Sequence, residues 1–413
     1  MLKKIASQFD FRGFPREIWV VAAMQMVSGT GFALAFSFWS LYLFQERGLP
    51  MTVVGVIQLI IGLASGLFQI VGGILGDRFG HRRVALSFSV ASVFAAAALA
   101  AAVFLKSPLW VVIACAAFRS IMGSGNNAPM SALIAGYSPK HRMTESYSLL
   151  AMTNNISWAI GPLLGGVLLG FTSFGWVFGI GVVLLGVGLI GYRFLPADSR
   201  TVEAKTSNSF KLSELVPAPG FILFALGVLL FFLTLSQWGG TLSVFTIKRI
   251  GFTSAKYGLL MSISSIIIIV FQYPVSHWMA GRLRMSLVLG CLFYAFGFLS
   301  LTWVRAFGPA LVFVVIAVIG EMMFTPTAIS VVGLISNDDE RGKNMGIYGL
   351  CASLGISSGP LLGGVLLDRF PSTPLLLWGP ISLCSFIAAI GLGLWRGYPR
   401  GVEKEAAERL KNE

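Results

Sequence analysis

The chain has 413 residues, of which 56% are hydrophobic and only 11% are charged, whereas soluble domains contain roughly 45–50% and about 25%. So few charged side chains cannot cover a water-soluble globule, and the composition therefore predicts an integral membrane protein. The formal net charge is +13, but the basic residues lie between apolar blocks, where they mark membrane topology and give no reason to expect nucleic-acid binding.

Twelve apolar blocks follow one another along the chain, and each is long enough to cross a bilayer as a helix. We expect spans near residues 18–44, 53–75, 84–105, 109–136, 145–170, 174–195, 219–247, 255–279, 285–304, 308–335, 343–368 and 373–396. The predicted fold class is therefore all-α, with twelve transmembrane helices.

The chain repeats itself. The nine residues GPLLGGVLL occur at 161–169 and again at 359–367, and the polar stretch 196–218 contains no apolar block. Duplicated halves with a site at their interface are a known transporter architecture. We therefore predict two pseudo-symmetric six-helix bundles, 1–195 and 219–399, with a cytosolic linker at 196–218 and a cytosolic tail at 400–413.

Most of the 30 Lys and Arg residues fall before the first span, in every second loop and in the tail. The positive-inside rule then places both termini in the cytosol. We expect a monomeric, multi-pass protein of the prokaryotic inner (plasma) membrane, embedded in the lipid bilayer.

The loop between the second and third spans contains a recognisable motif. Its key residues are Gly73, Asp77, Arg78, Gly80, Arg82 and Arg83. This segment resembles motif A (GxLaDrxGrk) of the major facilitator superfamily, although His81 departs from the pattern at the ninth place. The resemblance implies that Asp77 is a gate residue near the start of the eleventh span, where a carboxylate can interact with the helix dipole and latch the outward-facing state.

Two further segments are similar to motifs of the same family. Arg119 to Gly125 resembles RxxqGxg, which is associated with proton relay, although a structural role for Arg119 is an equal alternative. The second segment contains Gly161, Pro162, Gly165 and Gly166. It resembles motif C, which is commoner in antiporters than in importers, although a Pro/Gly hinge without directional meaning is the alternative.

Glu321 is the acid that lies near the middle of a predicted span, and Arg119 lies at a comparable depth. Each charge costs roughly 2.5–3.5 kcal/mol at a span centre, so such residues point to function. We predict proton coupling by Glu321 and Arg119. A structural acid that never titrates is the alternative for Glu321.

Aromatic and amide side chains in the spans predict an apolar substrate cavity. Its proposed residues are Phe36, Trp39, Asn126, Asn154, Trp158, Trp238 and Glu321. Such a chamber suits a lipophilic compound, including a cationic one, although packing or lipid contact is the default role of aromatic side chains.

These features favour a secondary transporter that exports small amphiphilic compounds in exchange for protons, as in multidrug antiporters. A facilitator or symporter for a metabolite and a lipid or lysolipid transporter are the alternatives. The sequence contains neither a Walker-type loop nor a GxSxG or HExxH motif, so no enzyme, metal site or cofactor is expected. The predicted partners are the small-molecule substrate and protons, and the driving force is a proton gradient.

Replacing Asp77 with Asn tests the latch. The substitution removes the charge and preserves the shape, so the dipole interaction should weaken by about 0.3–1 kcal/mol. We expect a larger inward-open population and slower turnover, with little change in substrate affinity. Spin-label distances across the cytosolic gate measure the populations, and an unaltered distribution would reject the latch.

Overall fold

The computed structural model describes residues 13–139, 142–196, 219–279, 281–336 and 341–395, and every regular element in these ranges is a helix. Most of the predicted linker (197–218) and all of the predicted tail (400–413) lie outside the described residues. The predicted topology of the termini falls there as well, so it stays a prediction.

Each of the twelve predicted spans corresponds to one helix or to one stack of short helices. The first half contains α1 (Arg16–Gln45), α2 (Met51–Phe79), α3 (His81–Phe104), α4 (Leu109–Tyr137), α5 (Met143–Leu168) and α6 (Phe174–Phe194). The second half contains α7 (Phe221–Ile250), α8 (Ser254–Met279), α9 (Leu283–Trp303), α10 (Phe307–Ile335), α11 (Lys343–Arg369) and α12 (Pro374–Leu394). In a bilayer a helix satisfies the hydrogen bonds of its backbone N–H and C=O groups within the segment, which is why apolar segments of this length are helical.

Eleven of these helices are long and apolar enough to cross a membrane, and α5 is the exception. Its 26 residues are sufficient in length, but Thr153, Asn154, Asn155 and Ser157 dilute its apolar character. The helix packs between α1 and α8. Neighbouring helices therefore shield its polar residues from lipid, and this allows a less apolar helix to cross the membrane.

The first helix of each half is interrupted. In α1 the helix Arg16–Phe36 gives way to Trp39–Gln45, and α7 breaks at Gly240, where φ is −117° and ψ is −93°. The two breaks contact each other, because the Ser40 hydroxyl donates a hydrogen bond of 3.1 Å to the Gly239 carbonyl. Interrupted helices at corresponding places in two halves are typical of the substrate region of transporters.

The repeated segment forms the contacts between the halves. In α5, Gly166 lies against the backbone of Ser254 at the start of α8. In α11, Gly364 lies in the same way against Met51 at the start of α2. A side chain at either glycine would overlap the opposing backbone, so the repeat lets α5 approach α8 and α11 approach α2 as closely as two helices can.

The other glycines of the repeat face inward within each half. Gly161 packs against the α1 backbone near Thr30, and Gly359 occupies the equivalent place beside α7 near Leu233. The motif C glycines are therefore packing residues on two faces of one continuous helix that includes Pro162. Their predicted role as a hinge stays a prediction.

The contacts between the halves lie on one side of the membrane. We call the face that carries residues 77–83 the motif-A side, and the other face the far side. Among the described residues, the hydrogen bonds and ring contacts that join the halves lie between the span centres and the far side, as with Phe38 and Tyr257, whose ring centroids are 5.7 Å apart. Nothing lies within 4 Å of a side chain added at Gly66 in α2 or Gly349 in α11, nearer the motif-A side. The structure is therefore closed on the far side and open toward motif A.

A carboxylate joins the two halves on the far side. Asp368, at the end of α11, accepts hydrogen bonds from the backbone nitrogens of Met51 at 2.9 Å and Thr52 at 2.7 Å. These two N–H groups begin α2 and have no acceptor within their own helix, and they lie at the positive end of its dipole. The matching residue after the first copy of the repeat is Gly170, so the equivalent position in α5 lacks this carboxylate.

Replacing Asp368 with Asn should weaken closure of the far side. The amide offers one acceptor oxygen in place of two charged ones, and hydrogen bonds to charged groups are worth about 1.5–3 kcal/mol. We expect spin labels at Leu105 and Trp303, exposed at the far-side ends of α3 and α9, to show a larger population at long distance.

Replacing the neighbouring Arg369 with Gln is the matched control, because it changes the local charge without touching the capped nitrogens. Its distance distribution should equal that of the wild type. If Asp368→Asn also leaves the distribution unchanged, the carboxylate does not hold the far side closed.

Candidate substrate cavity

A cavity of about 560 Å³ lies between the two halves, within the usual range for small-molecule sites. The first half lines it with residues that include Phe32, Phe36, Trp39, Gln58, Arg119, Ser120, Asn154, Asn155 and Trp158. The second half contributes residues that include Trp238, Met261, Ser264, Ser265, Glu321, Ser357 and Pro360. Contacts between the halves close this space on the far side.

Aromatic rings form the wall on the first half. Phe32 and Phe36 are stacked with ring centroids 5.2 Å apart, one helical turn apart on α1. Trp158 of α5 meets both rings edge-on, at 6.2 and 6.0 Å. Trp39 packs behind them against Phe178 at 6.3 Å. The rings therefore fix one another and present a preformed apolar surface.

Trp238 reaches the cavity from the second half and is held at three points. Its indole N–H donates a hydrogen bond of 2.8 Å to the Tyr294 hydroxyl, and its carbonyl accepts one of 2.6 Å from the Tyr257 hydroxyl. Its ring packs on Phe313 with centroids 5.1 Å apart. Because the side chain is only 8% exposed, it contributes an edge to the wall and does not project into the space.

Arg119 lies on α4 and faces the cavity. Its guanidinium carbon is 5.1 Å from the centroid of the Phe32 ring, a cation–π contact. Among the described residues the guanidinium has no ion-pair or hydrogen-bond partner. Its N–H groups are therefore available to a molecule in the cavity.

Glu321 lies on α10 and faces the same cavity from the second half. Tyr294 of α9, whose hydroxyl accepts the hydrogen bond from Trp238, interacts electrostatically with Glu321. The carboxylate has no ion-pair partner in the described part of the chain, where the two ion pairs are Asp77 with His81 and Arg142 with Glu145. The cavity thus contains one acid and one base from opposite halves, and they do not pair with each other.

Six of the seven residues predicted to line the cavity do so, namely Phe36, Trp39, Asn154, Trp158, Trp238 and Glu321. Asn126 does not. Helix α4 is interrupted at this residue, between Gly125 and Asn127, and the Asn126 side chain lies against the hydroxyl of Tyr192 in α6. The interruption turns the side chain into the first bundle, away from the space between the halves.

The motif A residues lie outside the cavity, at the turn between α2 and α3. Gly80 adopts φ 93°, a conformation that favours glycine. The Asp77 carboxylate is 3.6 Å from the His81 imidazole, and 63% of its side chain is exposed. Arg82 donates a hydrogen bond of 2.7 Å to the Tyr192 carbonyl and so ties the turn to α6.

The remaining motif A residues are placed as follows. Arg78 stacks over the Phe79 ring at 5.2 Å, Gly73 faces Ala128 of α4, and Arg83 lies in the first turn of α3. With the motif-A side open, Asp77 is engaged by His81. Its predicted interaction with α11 stays a prediction.

Three residues at the cavity or at the contact between the halves were not predicted from the sequence. Ser264 and Ser265 line the cavity from α8, but two serines in an apolar span resemble ordinary helix-packing residues. Asp368 ends the predicted eleventh span (343–368) and was given no role, although it directly follows the second copy of GPLLGGVLL, where the first copy is followed by Gly170. This difference between the halves is the signal that could have identified it.

The family profile described as Major Facilitator Superfamily matches residues 21–320 and 248–412 of this chain. The chain belongs to the Major Facilitator Superfamily. It is 26% identical over 373 residues to the MFS-type transporter YttB of Bacillus subtilis, covering 88% of this chain and 91% of that protein. It is 23% identical over 360 residues to the multidrug resistance protein MdtH of Yersinia enterocolitica, covering 84% of this chain and 88% of that protein.

The fold matches that of solved transporters. A crystal structure of a POT family transporter in complex with a thioalcohol-conjugated peptide aligns with a TM-score of 0.74 at 16% identity, covering 92% of this chain and 96% of that one. The predicted family and the predicted twelve-helix fold are thereby confirmed. The protein is a membrane transporter and not an enzyme.

A cysteine placed in the cavity tests which side is open. In a variant that lacks the four natural cysteines, Ser264→Cys should react with a membrane-impermeant maleimide supplied from the motif-A side and be protected from the far side. Val53→Cys, exposed near the far-side start of α2, is the control and should react in the opposite manner. Equal labelling of Ser264→Cys from both sides would contradict the closure seen here.

Proposed function

We propose that this transporter is a proton-coupled exporter of small amphiphilic compounds that works by alternating access. In this proposal the protein acts as a monomer in the prokaryotic plasma membrane, with the motif-A side facing the cytosol. Its substrate is a small molecule, and a proton gradient supplies the driving force without a cofactor. The open motif-A side is then the side from which a compound for export enters.

One observation carries the proposal: a single carboxylate faces a cavity walled by aromatic rings and has no partner among the described residues. Aromatic faces bind the apolar body of a ligand and attract a cationic group. The lining combines these rings with polar side chains such as Gln58, Asn154 and Asn155, a combination that suits an amphiphile. The cavity is large enough for a drug-sized molecule.

Competition at Glu321 explains coupling. An ionised carboxylate without a partner is costly inside a bilayer, so Glu321 keeps a proton until a cationic group or water stabilises the charge. A proton and a cationic substrate then exclude each other at this one group. If the halves move only when the carboxylate is satisfied, a proton entering from one side drives the substrate out toward that side.

Two further points support export. The segment around Gly161 and Pro162 resembles motif C, which is commoner in antiporters, and one of its glycines, Gly166, lies at the contact between the halves. The MdtH relative carries the name of a multidrug resistance protein. Both are consistent with the movement of diverse amphiphiles, and transport measurements decide the direction.

Replacing Glu321 with Gln tests the proposal. The amide imitates the protonated acid, so proton-driven accumulation should be abolished and downhill exchange retained. We suggest ethidium in liposomes with an acidic interior and with potassium and valinomycin to clamp the membrane potential. Ethidium has a permanent charge, so an acidic interior alone does not trap it.

The matched control is Glu46→Gln, which removes an exposed acid on the loop between α1 and α2 and should accumulate ethidium as the wild type does. Two results would contradict the proposal. One is uphill accumulation by Glu321→Gln at the wild-type level. The other is the absence of gradient-dependent movement in the wild type for ethidium and for other lipophilic cations.

A further inference from the structure

The cavity contains two unsatisfied charges of opposite sign. Arg119 and Glu321 are the charged residues of its lining, one from each half, and neither takes part in an ion pair between described residues. Each isolated charge costs free energy inside a bilayer. A substrate that satisfies only one of them leaves the other exposed to the same cost.

We propose that the cavity selects amphiphiles that carry both a cationic and an anionic group, with the cationic group toward Glu321 and the anionic group toward Arg119. The inference rests on the proposed function only in taking this cavity as the transport site. It adds a substrate class and gives Arg119 the role of a specificity-determining residue.

Arg119 is arranged to receive an anion. Its guanidinium carbon lies over the Phe32 ring, 5.1 Å from the centroid, and its N–H groups have no hydrogen-bond or ion-pair partner among the described residues. A guanidinium edge binds a carboxylate or sulfonate with two parallel hydrogen bonds. Ser120 and the amide of Asn154 line the same half of the cavity and can donate additional hydrogen bonds.

The two charges do not pair with each other in this conformation. Arg119 lies on α4 and Glu321 on α10, which belong to different halves, and the strong helix packing between the halves involves α2 with α11 and α5 with α8. The two side chains line the cavity from opposite halves. A ligand placed between them bridges the halves through its own pair of charges.

Charge balance then distinguishes the classes of ligand. With Glu321 ionised, the lining has no net charge, so a zwitterion fills the cavity without adding any. A cation leaves Arg119 without a partner, and an anion leaves Glu321 without one. Leaving one buried charge unpaired is more costly than pairing both.

A matched pair of dyes tests the preference. Tetramethylrhodamine carries a cationic dye system and a carboxylate, and its methyl ester is the same dye without the anionic charge. We expect purified wild-type protein to bind tetramethylrhodamine about tenfold more tightly than the ester in fluorescence anisotropy, since a charge-assisted hydrogen bond is worth this much.

Variants at Arg119 locate the preference. Arg119→Gln should weaken binding of tetramethylrhodamine about tenfold and leave the affinity for the ester equal to or higher than that of the wild type. Arg119→Lys keeps the charge and should keep part of the preference. Arg305→Gln removes a positive charge on the loop between α9 and α10, outside the cavity lining, and should change neither affinity.

Three results would overturn the inference. They are a wild-type protein that binds the ester as tightly as the free acid, an Arg119→Gln protein that loses affinity for both dyes equally, and an Arg119→Lys protein that loses the preference as completely as the Gln variant. If Arg119→Gln does not fold, the wild-type and Lys comparisons still decide. Because binding needs no gradient, a zwitterion preference without proton-driven ethidium uptake would refute the proposed coupling and leave this inference standing.

Discussion

The close approach of α2 to α11 and of α5 to α8 is the constraint on which the rest of the structure depends. Glycine at positions 166 and 364 permits this approach, because a side chain there would overlap the facing backbone. The remaining helices of each half pack around these pairs and leave the cavity between them. A transporter that opens alternately on two sides must release this contact, and small residues suit it because they form broad contacts without interlocking side chains.

Two carboxylates lie at opposite ends of the same helix pair. Asp368 caps the start of α2 from α11 in the state described here, whereas Asp77, at the end of α2, is paired with His81 and largely exposed. The far-side cap is formed while the motif-A side is open. If the predicted contact of Asp77 with α11 forms in the other open state, α2 and α11 exchange one carboxylate–helix contact for another between the two states.

The sequence predicted the helices well because apolar length and loop punctuation determine them in a bilayer. It also singled out Glu321 and Arg119, since charged residues within spans are rare, and both line the cavity. It misplaced Asn126, because the direction of this side chain depends on how α4 is interrupted there, which the Gly-, Asn- and Pro-containing sequence at 123–129 does not specify. The cap by Asp368 was equally hidden, because it joins residues 317 positions apart in sequence and depends on how the halves meet.

The central claim is that a proton and a cationic substrate compete for Glu321. The most direct measurement is the release of protons when ethidium binds to purified protein in weak buffer with a pH-sensitive dye. The account predicts that the wild type releases protons in proportion to the ethidium bound and that Glu321→Gln binds or rejects ethidium without any release. Binding to the wild type without proton release, or equal release by both proteins, would contradict it.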